Sequence, residues 1–200
     1  MTQLLNPESS FEELKKFNLP NYLILPINTN LDNFKQKINK LKFPLWLKLN
    51  SSEHKLQLGG VKKVESYEEL KKEYKALQKK FEGKTFIIQE DIKGIEIIMG
   101  IKTDKTFGKI LLLGTGGSLA ETINDTEFRA LPLEKDEIIS LIDSLKISHL
   151  LKQKSANISS LTNLILSISK MNIEEADFNP IIVNEKDAWI IDSRMRMSED

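Results

Sequence analysis

Ile95-Glu96-Ile97-Ile98-Met99-Gly100-Ile101 and, after a short gap, Lys109-Ile110-Leu111-Leu112-Leu113 are two apolar runs of strand length in mid-chain. Between them Asp104 to Gly108 has the composition of a hairpin turn, so the pair predicts adjacent antiparallel strands. Thr85-Phe86-Ile87-Ile88-Gln89 precedes them as another strand. Outward from this centre the period changes. Leu31, Phe34, Ile38 and Leu41 recur at helical spacing behind Asn30 or Asp32 as cap. Ser66-Tyr67-Glu68-Glu69 has the form of a capping box ahead of Leu70, Tyr74 and Leu77, and Ser10-Phe11-Glu12-Glu13 has the same form ahead of a short helix ending near Asn18. Tyr22 to Leu25 and Leu45 to Leu49 are short strands. On the C-terminal side helices are expected over 134–145 and 157–171, followed by strands over 180–183 and 188–192 around an Asn184–Asp187 turn. Strands gather in runs separated by helices, without strict strand–helix alternation, which predicts an α+β fold in two lobes.

Composition narrows the chemistry. The 200 residues carry 29 Lys plus Arg against 29 Asp plus Glu, a net charge of zero. That balance argues against a bulk electrostatic grip on nucleic acid or an acidic membrane. There is no cysteine, hence no disulfide, no thiolate zinc site and no thiol nucleophile, and only 2 His. Met1 to Pro7 lacks a basic segment followed by an apolar one, and the longest apolar run, Ile110 to Leu113, is far short of a bilayer span. A cytoplasmic protein is the expectation. Arg129, Arg194 and Arg196 are the only arginines in a chain otherwise rich in lysine. Two readings stand: the bias follows from an AT-rich genome and has no physical meaning, or an arginine kept where lysine is the default marks a bidentate contact to a phosphate or carboxylate.

The candidate site residues each admit two readings. All 9 glycines lie between Gly59 and Gly117. Gly114-Thr115-Gly116-Gly117 follows an apolar strand, and is either a tight turn or a loop whose N–H groups cradle phosphate oxygens. It lacks the Gly-Lys-Ser/Thr of a Walker loop. His54, close to Gly59-Gly60-Val61, is either an exposed loop histidine or a phosphoryl acceptor, since neutral imidazole is nucleophilic. Asn179 and Asp192, returned beside each other by the closing hairpin, are either a turn and an ordinary strand end or a neutral-plus-charged oxygen pair suited to Mg²⁺. Glu96 lies either on a solvated face of its strand or in a polar site, and Lys48 ends an apolar strand in the same way. An amine and a carboxylate so placed can bracket the phosphates and ribose of a nucleotide.

Taken in order, these blocks resemble the ATP-grasp portion of ADP-forming acyl-CoA synthetases. The carriers are Phe43-Pro44-Leu45-Trp46-Leu47-Lys48, His54-Lys55 with Gly59-Gly60-Val61, Ile88-Gln89-Glu90 with Gly94-Ile95-Glu96, and Phe107-Gly108 with Gly114-x-Gly116-Gly117. Glu121, Asp125, Phe128-Arg129-x-x-Pro132-Leu133, Asp177-Phe178-Asn179-Pro180 and Ile191-Asp192 complete the series, which covers nearly the whole chain.

In two-subunit members of that family this portion is the β subunit. The resemblance implies an ATP-grasp fold, two lobes whose antiparallel sheets clamp the nucleotide, with approximate lobes 1–87 and 88–200. It implies Lys48 on ATP phosphates, Glu96 on the ribose or nearby polar groups, and adenine held by backbone around Gln89, Glu90 and Asp91. Asn179 and Asp192 correspond to the family's Mg²⁺ ligands and His54 to a loop histidine that carries phosphate transiently. Arg129 and Asp125 correspond to positions beside the phosphate site. The implied reaction is acyl-CoA + ADP + phosphate ⇌ carboxylic acid + CoA + ATP. Its implied partner is an α subunit bearing the CoA site and a second phosphohistidine, in an α2β2 or similar hetero-oligomer. The segment between Lys48 and His54 is shorter than the family's usual run, and Asp104 to Lys109 lacks the usual prolines. A non-catalytic nucleotide sensor or scaffold is the alternative such trimming suggests.

Overall fold

The computed structural model describes residues 4–52, 55, 58–117 and 124–198. His54 and Glu121 lie outside the described residues. The chain divides into two compact units: Asn6–Ser9 with Pro20–Asp91, and Met1–Leu5 with Ser10–Leu19 and Ile92–Asp200. The dividing point in mid-chain falls after Asp91, because the strand ending at Glu90 belongs wholly to the sheet of the smaller unit.

The smaller unit holds strands β1 (Tyr22–Leu25), β2 (Leu45–Leu49), β3 (Val61–Val64) and β4 (Phe86–Glu90) in the order β1-β4-β2-β3, all pairs antiparallel. Helices α2 (Leu31–Ile38) and α3 (Tyr67–Lys80) cover one face. Asn30 caps α2 by accepting from the Asp32 N–H at 3.0 Å. Ser66 caps α3 by accepting from the Glu69 N–H at 3.2 Å, while the Glu69 carboxylate reaches one residue further back, to the Glu65 N–H at 2.8 Å. Leu31 and Ile38 from α2, and Leu70, Tyr74 and Leu77 from α3, pack on Leu25, Leu45, Leu47, Phe86 and Ile88. Burial of such a face stabilises these helices more than intrinsic propensity does.

The larger unit is built on β5 (Ile95–Asp104), β6 (Gly108–Thr115), β7 (Thr126–Ala130), β8 (Ile173–Val183), β9 (Ala188–Ile190) and β10 (Ser193–Met197). The order is β10-β8-β5-β6-β7, with β9 also paired to β8, and every pair is antiparallel. The central hairpin forms as expected. Asp104 Oδ1 accepts from the N–H groups of Thr106 at 2.7 Å and Phe107 at 2.9 Å, and Gly108 takes φ +71°. Helices α4 (Lys135–Ser144), α5 (Ser148–Gln153) and α6 (Ile158–Ser169) supply Ile138, Leu141, Leu151, Leu161 and Ile165 to a core with Ile97, Met99, Ile101, Leu111 and Leu113.

Helix α1 runs Pro7–Glu13, so Ser10 is interior rather than a cap. Pro7 suits a first helical position because its missing N–H is not needed there, and Asn6 Oδ1 accepts from the Ser9 N–H at 2.9 Å. Beyond α1, Leu14 is fully buried in the core of the larger unit. The Leu5 N–H donates to Met195 O at 2.8 Å on β10, and the Ile190 N–H to Asn18 O at 3.0 Å.

Candidate functional site

In the smaller unit the period-2 geometry of β2 sends Leu45, Leu47 and Leu49 into the core and leaves Trp46 and Lys48 on the opposite face. There Trp46 lies across from Gln89 and Lys48 from Ile87. Lys48 is buried, and its Nζ donates to Gln89 Oε1. An interior ammonium without an acceptor costs several kcal/mol, on the order of a buried charge, and this amide oxygen is one of the groups that offset it for Lys48. Gln89 is itself at 0% exposure, and its Nε2 has no partner among the described residues. The pair thus presents a held cation and a spare donor to any acceptor that reaches it.

Glu90 and Asp91 are committed within the unit. Glu90 accepts from Asn21 Nδ2 at 2.9 Å and the Lys42 N–H at 2.7 Å. Asp91 accepts from Trp46 Nε1 at 2.7 Å and Lys63 Nζ at 2.9 Å, with Lys63 lying 5.4 Å from the centre of the Trp46 ring. Their backbone N–H groups donate to Asn21 O at 2.9 Å and Pro44 O at 3.2 Å. Neither N–H is open to a base. The two carboxylates brace the last residues of β4 on β1, β2 and β3.

In the larger unit, Glu96 lies on the face of β5 away from the helices, exposed, between the buried Ile97 side and the chain start of the strand. The β5–β6 register, Ile97 opposite Thr115, delivers the glycine loop to it. The Gly116 N–H donates to Glu96 O at 2.8 Å. A Cβ on Gly116 would stand 3.0 Å from Glu96 C, and one on Gly117 would stand 2.7 Å from Glu96 Oε2. Gly117 also has φ +72°, a region that excludes most side chains. At Gly116 glycine is a close-approach requirement set by the Glu96 backbone, and at Gly117 it is required by the positive φ. On the side of β5 away from β6, β8 bulges: Ile97 pairs Ile181 and Met99 pairs Phe178, so Ile98 faces both Asn179 and Pro180. A bulge redirects a side chain, and Asn179 is exposed. Its N–H donates to Asp192 O at 3.2 Å, which places the two proposed metal ligands side by side. Asp192 Oδ1 accepts from the Ser193 N–H at 2.9 Å.

Two further expected site residues are engaged within the larger unit's own framework. Arg129 is opposite Leu111, a core residue, so it points to the helix side of the sheet, whereas Phe128 opposite Leu112 takes the Glu96 side. Arg129 Nη1 meets Glu127 Oε2 at 3.3 Å and Phe128 O at 2.7 Å. Asp125 is buried and engaged by three donors: Thr115 Oγ1 at 2.6 Å, the Lys146 N–H at 2.8 Å and the Ile147 N–H at 3.0 Å. Burial pushes its pKa up, but the hydrogen bonds from Thr115, Lys146 and Ile147 outweigh burial and hold it below the ordinary value. A carboxylate so occupied is an anchor, not a group free to reach a reacting atom. The other arginines also sit against carboxylates, Arg194 on Asp177 at 2.7 Å and Arg196 on Glu175 at 3.7 Å. The cross-strand positions of Asp177 and Arg194 follow from the β8–β10 register, which no local pattern in the sequence specifies.

Three comparisons bear on these surfaces. The ATP-grasp domain family matches residues 2–197. The β subunit of ADP-forming acetate–CoA ligase I from Pyrococcus furiosus is 26% identical over 96% of this chain and 90% of its own length. ADP-forming acetate–CoA ligase I from Archaeoglobus fulgidus is 28% identical over 87% of this chain, yet the match spans only 28% of that longer protein. Among solved structures, acetyl-coenzyme A synthetase 1 of Ca. Korarchaeum cryptofilum superposes with TM-score 0.74 at 25% identity, covering 95% of this chain and 90% of that one. That protein was captured with coenzyme A and Mg-AMPPCP, its phosphohistidine segment pointing towards the nucleotide-binding site.

Proposed function

This chain belongs to the ATP-grasp domain family, and we propose that it is the nucleotide-binding β subunit of an ADP-forming acyl-CoA synthetase. It would move a phosphoryl group between a phosphohistidine relay and ADP, working with an α subunit that holds CoA and the acyl group. The observation that carries this reading is the seating of Glu96 against Gly116–Gly117, on the same sheet that sets Asn179 beside Asp192. The bare glycine pair lets the backbone close directly on Glu96 and hold its carboxylate at the loop, and the likeness to a β subunit in sequence and to a synthetase captured with Mg-AMPPCP in structure suggests the ligand class.

The residues fit Mg²⁺. Among the described residues there is no cluster of three or more His, Asp or Glu. An Asn–Asp pair therefore leaves most coordination positions to water and phosphate oxygens, as Mg²⁺ prefers. When bound, the ion supplies neutralisation of phosphate charge. Transfer breaks the N–P bond of the phosphohistidine and forms an O–P bond to the terminal phosphate of ADP, and the imidazole leaves with the electron pair of the N–P bond. Such transfer depends on positioning and electrostatic stabilisation rather than on a general base. Lys48, held by Gln89, contributes fixed positive charge to the phosphates, and Glu96 accepts from ribose hydroxyls. His54 is the proposed carrier on this subunit.

The test is transfer of label from radioactive ATP and Mg²⁺ to the chain in the presence of its α partner. Label on wild type and none on His54→Ala is expected. Mg-ADP binding without label would leave a nucleotide sensor, and equal label on both proteins would remove His54 from the relay.

A further inference from the structure

Asp125 has no place in the transfer chemistry, yet it is among the most heavily bonded side chains described. Its Oδ2 accepts from Thr115 Oγ1 and the Ile147 N–H, and its Oδ1 from the Lys146 N–H. Its own carbonyl accepts from the Thr115 N–H at 2.9 Å. Thr115 is the residue immediately before Gly116, and it is likewise buried. Both ends of the β6–β7 connection are thus fastened to each other, and then to the backbone between α4 and α5. Gly114 tightens the same neck, since a Cβ there would stand 2.7 Å from Asp125 O.

We infer that Asp125 and Thr115 form a positioning clasp that fixes the Gly116–Gly117 turn against Glu96. The role rests on the nucleotide reading above and adds to it a pair of residues that never touch the ligand. Geometry explains why a carboxylate is needed. All three donors are satisfied only by acceptor oxygens, and two of them are backbone N–H groups that cannot rotate into acceptors. An asparagine in either orientation sets an NH₂ group against Lys146 N–H or Ile147 N–H. The clasp then loses its tie to the backbone between α4 and α5, and Asp125 is released to shift with Thr115, one residue from the glycine whose N–H holds Glu96 O.

The test compares Mg-ADP affinity, by calorimetry on the full chain, with thermal stability. Asp125→Asn and Thr115→Val are expected to weaken Mg-ADP binding by about tenfold, the scale of one hydrogen bond to a charged group. Thr115→Ser, which keeps the hydroxyl, is expected to bind as wild type does. Leu161→Ala, a core truncation on α6, serves as a variant that loses stability without touching the clasp. Weakened binding in D125N and T115V, with T115S and L161A unaffected, supports the clasp. Where wild type binds Mg-ADP but D125N and T115V match it, or lose no more affinity than L161A, the clasp role is overturned alone. Failure of wild type itself to bind overturns the nucleotide reading and the clasp together.

Discussion

Replacing Gly117 by alanine separates two costs that the structure superposes at one residue. The first is backbone strain: φ +72° lies in the left-handed region, where an L side chain costs about 1–2 kcal/mol. The second is contact, because the new Cβ would stand 2.7 Å from Glu96 Oε2 and 3.0 Å from Glu96 Cδ. Both atoms belong to the end of a flexible side chain, so the carboxylate moves rather than the backbone. The consequence falls on binding more than on folding. Gly108→Ala is the matched control, since Gly108 has φ +71° in the same unit and a Cβ there meets nothing within 4 Å. Both variants should lose about 1–2 kcal/mol of stability, a fall of roughly 2–8 °C in Tm for a chain of this size. Only Gly117→Ala should also lose the charged hydrogen bond that Glu96 is proposed to accept from the ribose, about 1.5–3 kcal/mol, or roughly ten- to a hundredfold in the Kd for Mg-ADP. Calorimetric titration and thermal unfolding on the same samples read the two effects apart. Equal Kd values for G117A, G108A and wild type would show that Glu96 does not depend on the glycine and does not hold the ligand.

Lys48→Met removes the buried cation and leaves the Gln89 amide without its partner. Mg-ADP affinity should fall by at least about tenfold, measured by titration, while an unchanged Kd would take Lys48 out of the phosphate contacts. Asn6→Ala deletes the bond to the Ser9 N–H and should cost about 1 kcal/mol in urea unfolding; no loss would mean that Pro7 alone starts the helix. Acid should act through Asp125. Its pKa is depressed in the fold, so its stabilisation is complete above the ordinary carboxylate value of about 4 and is lost as pH falls through the folded value. The difference in urea midpoint between wild type and Asp125→Asn should therefore hold steady from pH 8 to about 5 and shrink below about 4. A difference that widens on acidification would contradict the assignment.

Helices α2, α3, α4 and α6 and the strands β1, β2, β4, β5 and β6 were legible because each couples an apolar period to a cap or a turn residue. What escaped was edge and end structure. Val61-Lys62-Lys63-Val64 is an edge strand with two lysines, and Thr126-Glu127-Phe128-Arg129-Ala130 is another with no fully buried residue, so neither shows a hydrophobic face. Missing β7 as a strand also hid the facing of Arg129, since side is a matter of parity within the strand and register with Leu111. The Ser10 box misled because Ser-x-x-Glu inside a helix has the same letters as one at its start. Asn6-Pro7 carried the true signal. Within the site, the nearness of Glu96 to Gly116 depends on strand register and lies beyond any local spacing, whereas the adjacency of Asn179 and Asp192 could be drawn from the hairpin between them.

The larger unit is discontinuous in sequence. The backbone passes from one unit to the other after Leu5, after Ser9, after Leu19 and after Asp91. Leu14 completes its core, Leu5 extends β10, and Asn18 accepts from β9. A fragment cut at Ile92 would therefore carry an open cavity where Leu14 belongs and two strands short of their neighbours. Gene fusions or splits that respect the larger unit must keep Leu5 and Ser10–Leu19 with it. Leu5 and Ser10–Leu19 travel with the larger unit although they precede the smaller one in sequence, and an exchange between relatives at the Asp91–Ile92 junction would combine a core from one ancestor with its keystone from another.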